Sequence, residues 1–310
     1  MHLNAHSYYS LRYGVFTTRT LLDLSCINGF DSIALTDINN TSACLEFIRE
    51  AVKYDVKPVV GIDFRNGVQQ QFIMIAKNND GFERMNHYLT TILHEGHRVP
   101  DVAPELSNTF VIYPFVKDQT RTLKEHEFVG VRPEDLSTLR LKNIDTKQTV
   151  MLPTVTFRNR KDFNAHRLLR AIDNNTLLSK LPESEQAMLH HQMLPKEVLL
   201  NTYVDHPEMI ANTEMILRES NIEFDFSDKM VHQNQKSYTG SEEEDIELLL
   251  HKCKQGIGYR YPDAGEEVYA RISKELDVIK KMGFVSYFLM NWDIVNYARS
   301  KGYFYVGRGS

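Results

Sequence analysis

The first 65 residues alternate between short apolar runs and helical patterns, and this alternation limits the folds open to the chain more than any other feature. Ser32 to Thr36 and Lys57 to Phe64 are apolar runs of strand length. Thr20 to Asn28 and Ser42 to Tyr54 have the spacing of amphipathic helices, and Gly29 ends the first of them. The order strand, helix, strand, helix, strand predicts parallel strands with crossover helices, and therefore an α/β fold.

Functional side chains in such folds gather where the parallel strands end. The residues that follow the predicted strands are His6 and Ser7, Thr36 to Asn40, and Gly61 to Asp63. These positions are therefore the first candidates for a functional site.

A second informative stretch lies at the other end of the sequence. Apolar residues from Tyr287 onward recur at helical spacing, Lys301-Gly302 stops the helix, and Tyr303 to Val306 has the pattern of a short strand. That strand leads into Gly307-Arg308-Gly309-Ser310. Glycines let the backbone approach an anion closely, amides and a hydroxyl donate to phosphate oxygens, and the guanidinium adds a planar cation. The tetrapeptide therefore favours a phosphate-binding loop, with an ordinary turn as the alternative.

Composition excludes several classes of protein. The chain has 36 Lys and Arg against 41 Asp and Glu, a formal net charge of −5, which argues against a strongly basic surface that wraps nucleic acid. No run of about 20 apolar residues occurs, so we expect no membrane partner. Met1 to Asn4 does not read as a signal peptide. Cys26, Cys44 and Cys253 form no Cys-x-x-Cys pair, which indicates a reducing, cytoplasmic location.

The segment from Lys280 to Ser310 resembles the start of the palm domain in C-family bacterial replicative DNA polymerases, the polymerase III alpha subunits. The shared features are Met282-Gly283-Phe284, the aromatic Tyr287-Phe288-Leu289, an amphipathic helix that ends at Ala298-Arg299, a strand, and the final loop. The resemblance implies that the triphosphate of the incoming nucleotide is bound by Gly307, Arg308, Gly309 and Ser310. The family usually has Val-Gly-Pro-Gly-Arg-Gly-Ser, so the loop here lacks the middle Gly-Pro and should be shorter.

The same resemblance limits what this chain can do alone. In the family, the aspartates that bind the two Mg²⁺ ions of the polymerase lie beyond the Gly-Arg-Gly-Ser loop. We therefore expect an N-terminal fragment that carries no catalytic residue of the polymerase and is inactive by itself.

The N-terminal region resembles the PHP (polymerase and histidinol phosphatase) domain that precedes the palm in these polymerases. Four segments carry the resemblance in the family's order: His2 to Ser10, Ala34 to Asp37, Lys57 to Phe64, and Ile73 to Gly81. The resemblance implies a distorted (β/α) barrel.

An active PHP domain holds several Zn or Mn ions, which requires many nitrogen and oxygen ligands at one end of the barrel. By resemblance, the family's ligand positions fall here on Asn4, His6, Tyr13, Ile38, Asp63, Thr154 and Thr156. The aliphatic Ile38 cannot bind a metal, and only His6 and Asp63 keep ligand side chains. We therefore predict no metal-binding residue and a metal-free scaffold.

Other histidines offer an alternative ligand set. His87, His94 and His97 lie in or after a helix-like segment, where surface histidines are common. His190-His191 is predicted to be solvated, and Glu242 to Asp245 is predicted to be the acidic first turn of a helix.

Residues 157–174 predict a further helix. Its apolar residues, Ala165, Leu168, Leu169 and Ile172, fall on one face, so we expect that face to be buried.

The most linker-like stretch is Asp225 to Ser241, which is polar and ends in Thr-Gly-Ser. We place the domain boundary there. Residues 1–225 are interpreted as the PHP domain, and residues 226–310 as the mostly helical N-terminal part of the palm.

Together the two resemblances imply the N-terminal part of a DNA-directed DNA polymerase, either a main replicase or an error-prone paralogue. The parent enzyme would use Mg²⁺ to add nucleotides from dNTPs to a DNA primer-template. One alternative is a PHP domain with metal-dependent phosphoesterase or 3′-5′ exonuclease activity. The other is a non-catalytic scaffold that docks a proofreading exonuclease subunit, with other replisome subunits as further candidate partners.

Overall fold

The structure is a computed structural model that describes residues 1–117, 121–142, 147–227 and 236–307. The chain separates into two compact units, Met1–Ser227 and Asp228–Ser310. The first unit is mixed α/β, and the described part of the second is helical. The predicted fold class is therefore confirmed: a curled α/β sheet of the barrel type, followed by a mostly helical part.

The first unit contains the strands and most of the helices. Its strands are β1 (Asn4–Ala5), β2 (Ser32–Leu35), β3 (Lys57–Asn66), β4 (Gln69–Ala76), β5 (Thr109–Pro114), β6 (Glu127–Val131), β7 (Thr149–Met151) and β8 (Thr154–Val155). Its helices are α1 (Thr18–Ile27), α2 (Cys44–Ala51), α3 (Asn79–Glu95), α4 (Leu136–Lys142), α5 (Arg160–Asp173), α6 (Lys196–Thr202) and α7 (Pro207–Glu219). The alternation predicted for the first 65 residues is confirmed.

Six strands form one sheet in the order β2-β3-β4-β5-β6-β7. β2 and β3 are parallel, as are β5, β6 and β7, whereas β4 is antiparallel to both of its neighbours. Only Gly67 and Val68 connect β3 to β4, and Gly67 has a φ of 61°. Because a two-residue loop can join only antiparallel strands, the parallel order is interrupted at this hairpin.

The two shortest strands form a second, two-stranded sheet next to β2. β1 pairs in parallel with β8, with Asn4 opposite Thr154. On its other side β1 meets β2, because Ala34 N donates to His2 O and Thr36 N donates to Ala5 O. The carboxyl ends of β1, β2, β3 and β8 therefore lie at one edge.

Both faces of the sheet are covered. Along β4, Phe72 and Met74 belong to one buried apolar cluster, while Ile73 and Ile75 belong to another. Successive side chains of a strand point to opposite faces, so a near-continuous apolar run is what a doubly covered strand requires.

Different helices supply the two cores. Helices α1 and α2 contribute Leu21 and Phe47 to the first cluster, whereas α6 and α7 contribute Leu199 and Met209 to the second. Helix α3 is held at its ends by its sequence, because the Asn78 side chain accepts from the Gly81 amide and Gly96 takes the left-handed conformation.

The second unit consists, over its described residues, of α8 (Glu242–Arg260), α9 (Glu266–Lys281) and α10 (Val285–Ser300). Leu249, Leu276, Val285 and Leu289 form its small buried core. The helix predicted from Tyr287 to the stop at Lys301 corresponds to α10.

The acidic first turn of α8 is confirmed, and it has a structural role. Ser241 Oγ accepts from the Glu244 amide at 3.2 Å. Asp245 is buried and accepts from the amides of Tyr238 and Thr239, both at 2.7 Å. The acidic side chain thus fixes the segment that enters the helix.

The strand predicted for Tyr303 to Val306 is wrong. These residues have no regular secondary structure, and no described strand of the second unit pairs with them. An apolar pattern alone cannot make a strand, because its backbone groups need a partner.

No helix in the described residues is long and apolar enough to cross a membrane.

Candidate functional site

His6 lies directly after β1, and its side chain is fully buried. Its Nε2 lies 3.0 Å from Asp63 Oδ2, and its Nδ1 lies 3.0 Å from Thr156 Oγ1. Since an ionised carboxylate can only accept, Nε2 carries the proton and Nδ1 accepts from the Thr156 hydroxyl. Burial lowers the pKa of His6, and the hydrogen bond to Asp63 opposes that shift.

A guanidinium completes this cluster. Arg65 Nε and Nη2 lie 3.0 Å and 2.6 Å from Asp63 Oδ2, and the Arg65 side chain is only 6% exposed. Asp63 and Arg65 are two positions apart on β3, and the register of β3 with β4 shifts between Phe64 and Arg65. Arg65 Cζ also lies 5.0 Å from the centre of the Tyr13 ring.

The electrostatics of this cluster are those of a closed, buried ion pair. Burial by itself would raise the pKa of Asp63, but the charge of Arg65 and the hydrogen bonds from His6 and Arg65 hold that pKa well below its usual range. Asp63 Oδ1 is buried and has no hydrogen-bond partner among the described residues. One carboxylate oxygen therefore carries all of the contacts.

Tyr13 links the cluster to α5. Its carbonyl accepts from His166 Nδ1 at 2.7 Å, and the Ala187 amide donates to His166 Nε2 at 2.9 Å. His166 is therefore neutral, and burial lowers its pKa to about 4. Arg170 Cζ lies 5.9 Å from the centre of the same Tyr13 ring.

A close backbone approach holds Tyr13 in place. The Gly14 amide donates to Ser10 O at 2.8 Å. A Cβ on Gly14 would lie 1.7 Å from the Ser7 carbonyl oxygen, so a side chain cannot be accommodated there.

Asp37, at the end of β2, ties the same loop to the barrel. Its carboxylate accepts from Ser7 N at 2.7 Å, Ser7 Oγ at 2.7 Å and Ser10 Oγ at 2.6 Å. Burial raises the pKa of Asp37 despite these hydrogen bonds. Its oxygens are thus committed to holding the loop.

The remaining family positions are likewise occupied by internal contacts. Asn4 donates to Thr154 Oγ1 at 3.2 Å and accepts from Thr36 Oγ1 at 3.1 Å. Ile38 packs against an apolar cluster that includes Phe157. Thr154 and Thr156 lie beside Asn4 and His6 through these hydrogen bonds.

The buried face predicted for α5 is wrong. Leu168 and Ile172 are 53% and 61% exposed, whereas His166 and Arg170 are buried. The polar face is buried because its groups have partners in Tyr13 and in Glu185, whose Oε2 accepts from Arg170 at 2.7 Å. The sequence patterns did not indicate a site role for Arg65, His166 or Arg170. The position of Arg65, two residues after Asp63, was the one feature that could have indicated it.

The other histidines divide into two groups. His87 and His97 are exposed and pair with Glu83 at 3.9 Å and Glu95 at 3.0 Å. His190 is also exposed, as predicted, but the prediction for His191 is wrong. Both ring nitrogens of His191 are buried.

The phosphate loop predicted for Gly307 to Ser310 lies almost wholly outside the described residues. Gly307 is described and exposed, whereas Arg308, Gly309 and Ser310 are not among the described residues. Just before the loop, Arg299 Nε donates to the Tyr305 hydroxyl.

The donors at the strand ends do not fit a PHP metal cluster. His6 uses both nitrogens on protein partners, Asp63 Oδ2 is shared between His6 and Arg65, and a fixed positive charge already lies against that carboxylate. A dication there would have to displace or tolerate a guanidinium. The arrangement can orient side chains, but it does not supply a converging ligand set.

Two family models match the chain. Residues 2–121 match the PHP domain, and residues 247–310 match the bacterial DNA polymerase III alpha NTPase domain. The resemblance drawn from the sequence motifs is therefore confirmed for both regions.

Individual relatives match along most or all of the chain. An error-prone DNA polymerase from Symbiobacterium thermophilum is 24% identical over 100% of the chain and 33% of its own length. DNA polymerase III alpha subunits from Streptococcus pyogenes and Escherichia coli are 27% and 23% identical, over 91% and 97% of the chain and 26% and 30% of their own lengths. The chain thus spans about a third of the curated relatives or less. With a match to the PHP domain followed by a match to the NTPase domain, the chain is similar to the N-terminal part of bacterial DNA polymerase III alpha subunits and error-prone DNA polymerases.

Proposed function

We propose that this chain is the N-terminal part of a DNA-directed DNA polymerase, in which residues 1–225 form a PHP scaffold whose family ligand positions hold no metal, and residues 226–310 begin the palm. The contact between Arg65 and the Asp63–His6 pair carries the proposal for the scaffold. The two family matches, in this order, support the polymerase.

The charge balance at the strand ends favours a scaffold. A PHP catalytic centre gathers carboxylates and imidazoles as ligands for metal ions, whose charge offsets that of the carboxylates. Here the buried Asp63 carboxylate is neutralised by Arg65, whose Nη2 lies 2.6 Å away. A guanidinium cannot be deprotonated in a protein, so this cation is permanent.

The number of available ligand atoms also favours a scaffold. Of the family's positions, Asn4 and Ile38 offer no carboxylate or imidazole, and Tyr13 turns its ring towards Arg65 and His166. Asp63 Oδ1 is the acceptor that remains, and one oxygen beside a guanidinium is a poor site for Zn²⁺ or Mn²⁺.

The scaffold is tested by its metal content and its chemistry. The purified chain is titrated with Mn²⁺ and assayed with p-nitrophenyl phosphate, alongside the variant His94→Asn/His97→Asn, which removes exposed surface ligands. We expect no hydrolysis and no multi-ion cluster. Hydrolysis together with two or more bound Mn²⁺ ions that depend on Asp63 would overturn the proposal and favour the phosphoesterase or 3′-5′ exonuclease alternative.

For the parent polymerase we propose that Gly307, Arg308, Gly309 and Ser310 bind the triphosphate of an incoming dNTP. Mg²⁺, held by residues outside this chain, would supply Lewis-acid stabilisation of the phosphates. The location would be the cytoplasm, where the parent would act on a primer-template. We expect no template-directed incorporation by this chain alone, and detectable primer extension would contradict that expectation.

A scaffold can also provide a docking surface, and we propose a proofreading exonuclease subunit as its first candidate partner, with other replisome subunits after it. The closed cluster at the strand ends supports a structural role for the barrel. Size-exclusion chromatography of residues 1–225 with such a subunit tests the interaction, and the absence of a complex would count against it.

A further inference from the structure

Outside the family's ligand positions, one group of metal-ligand side chains lies together. Glu134, His190 and His191 each offer a ligand atom, and these atoms lie within 4.8 Å of one another. In the described parts of the chain this is the one group of three or more such residues. The three residues are absent from the ligand positions implied by the PHP resemblance.

His191 is the group that points to a ligand. Both of its ring nitrogens are buried, and neither has a hydrogen-bond partner among the described residues. Buried polar atoms in native proteins are almost always paired, so two unpaired nitrogens on one ring call for an explanation. Neutral imidazole is also the form that binds a metal, through a ring nitrogen that is not otherwise bonded.

The distances suit one small ion. His190 Nε2 lies 3.4 Å from Glu134 Oε2. Ligands at about 2.0–2.1 Å from a tetrahedral zinc ion are separated by about 3.4 Å, so this pair already has the required spacing. His190 and Glu134 are partly exposed, with side-chain exposures of 56% and 32%, and can turn towards His191.

The backbone around the group is fixed. His191 O accepts from the amides of Thr156 and Phe157 at 2.9 Å and 3.0 Å, directly after β8. Glu134 lies in a single 3-10 turn, Pro133–Asp135, directly after β6. Two strand ends therefore position the ligands.

From this geometry we propose that Glu134, His190 and His191 form a site for one Zn²⁺-class ion, with a water molecule in the fourth position. Two imidazoles and one carboxylate are a set that zinc accepts, and three protein ligands leave one position open. Arg132 precedes the 3-10 turn and donates to Gln70 Oε1 at 2.6 Å, and its guanidinium is a nearby positive charge that a bound cation would have to tolerate.

The experiment is a titration of the whole purified chain with Zn²⁺ by calorimetry, repeated with Co²⁺ and read by visible absorption. The variants Glu134→Gln and His190→Asn change exposed residues, so folding is retained. The matched control is His94→Asn/His97→Asn, which removes two histidines elsewhere on the surface. None of these variants touches His6, Asp63 or Arg65, so the result is independent of the scaffold proposal.

We expect one equivalent of Zn²⁺ to bind the unmodified chain, and each site variant to weaken binding about tenfold or more. Co²⁺ should give the visible bands of a four-coordinate ion, which both site variants lose and the control keeps. If the unmodified chain binds no Zn²⁺, if Glu134→Gln and His190→Asn bind as the unmodified chain does, or if the control loses binding, the proposal is overturned.

Discussion

The two histidine clusters of the first unit lie at strand ends and use similar side chains, yet they are in opposite states. In the His6–Asp63–Arg65 cluster, both histidine nitrogens are bonded to protein and a guanidinium supplies the positive charge. In the Glu134–His190–His191 cluster, the buried His191 nitrogens have no partner among the described residues. Whether a histidine cluster can bind a metal ion therefore depends on which ring nitrogens and carboxylate oxygens have no protein partner. The residue types alone do not show this.

Removing the internal cation should have the largest effect. Arg65→Met leaves Asp63 buried without its counter-charge, so we expect a loss of about 3–5 kcal/mol in the free energy of unfolding, measured with urea. The matched control is Lys124→Met, because Lys124 Nζ also lies 2.6 Å from a carboxylate, Glu105 Oε2, but on the surface. The control should lose less than about 1 kcal/mol. Equal losses in the two variants would show that Arg65 does not neutralise the cluster.

Lowering the pH should reduce the free energy of unfolding through the buried, hydrogen-bonded His166. His166 has a folded-state pKa of about 4, below its unfolded value of about 6.5, so the unfolded chain binds the proton first. Its contribution to stability is complete above pH ~6.5 and is lost as the pH falls towards ~4, on the order of 3 kcal/mol.

The variant that checks this is His166→Gln, compared with His87→Gln on the surface. Urea unfolding at several pH values between 7 and 4 should give a shallower decline for His166→Gln and an unchanged one for His87→Gln. A decline that is the same in all three proteins would exclude His166 as its source.

Zinc should raise the thermal midpoint through the second cluster only. An ion that binds the folded chain stabilises it by about 2.7 kcal/mol when its free concentration is 100 times the dissociation constant. Differential scanning fluorimetry should show this rise for the unmodified chain and for the control His94→Asn/His97→Asn. Glu134→Gln should show at most about half of the stabilisation, ~1.4 kcal/mol, at the same zinc concentration, because its binding is at least about tenfold weaker. A full rise in Glu134→Gln would place the ion elsewhere.

Restoring one family ligand to the first cluster should have the smallest effect. Ile38→His adds an imidazole at the strand end, but Arg65 still neutralises Asp63 and Asn4 remains bonded to Thr154 and Thr36. We expect no added equivalent of Mn²⁺ by equilibrium dialysis. Stoichiometric Mn²⁺ binding by this variant would mean that the missing histidine alone had inactivated the site.

The sequence by itself determined the class of fold and the resemblance to bacterial DNA polymerase III alpha subunits. Apolar runs and helical spacing located β2, β3, α1 and α2, because those patterns depend on neighbours close in the chain. Motifs in the family's order identified both domains, and the replacement at Ile38 could be read directly from the letters.

Only the tertiary structure decided which side-chain atoms have a protein partner. Arg65 reaches Asp63, Tyr13 reaches Arg65 and His166, and Glu134 meets His190 through contacts between residues distant in sequence. Contacts between distant residues also explain the two wrong predictions. Helix α5 buries its polar face because His166 and Arg170 have partners there. Tyr303 to Val306 is not a strand because no described strand pairs with it. Burial and pairing are properties of the assembled fold, so a local pattern cannot fix them.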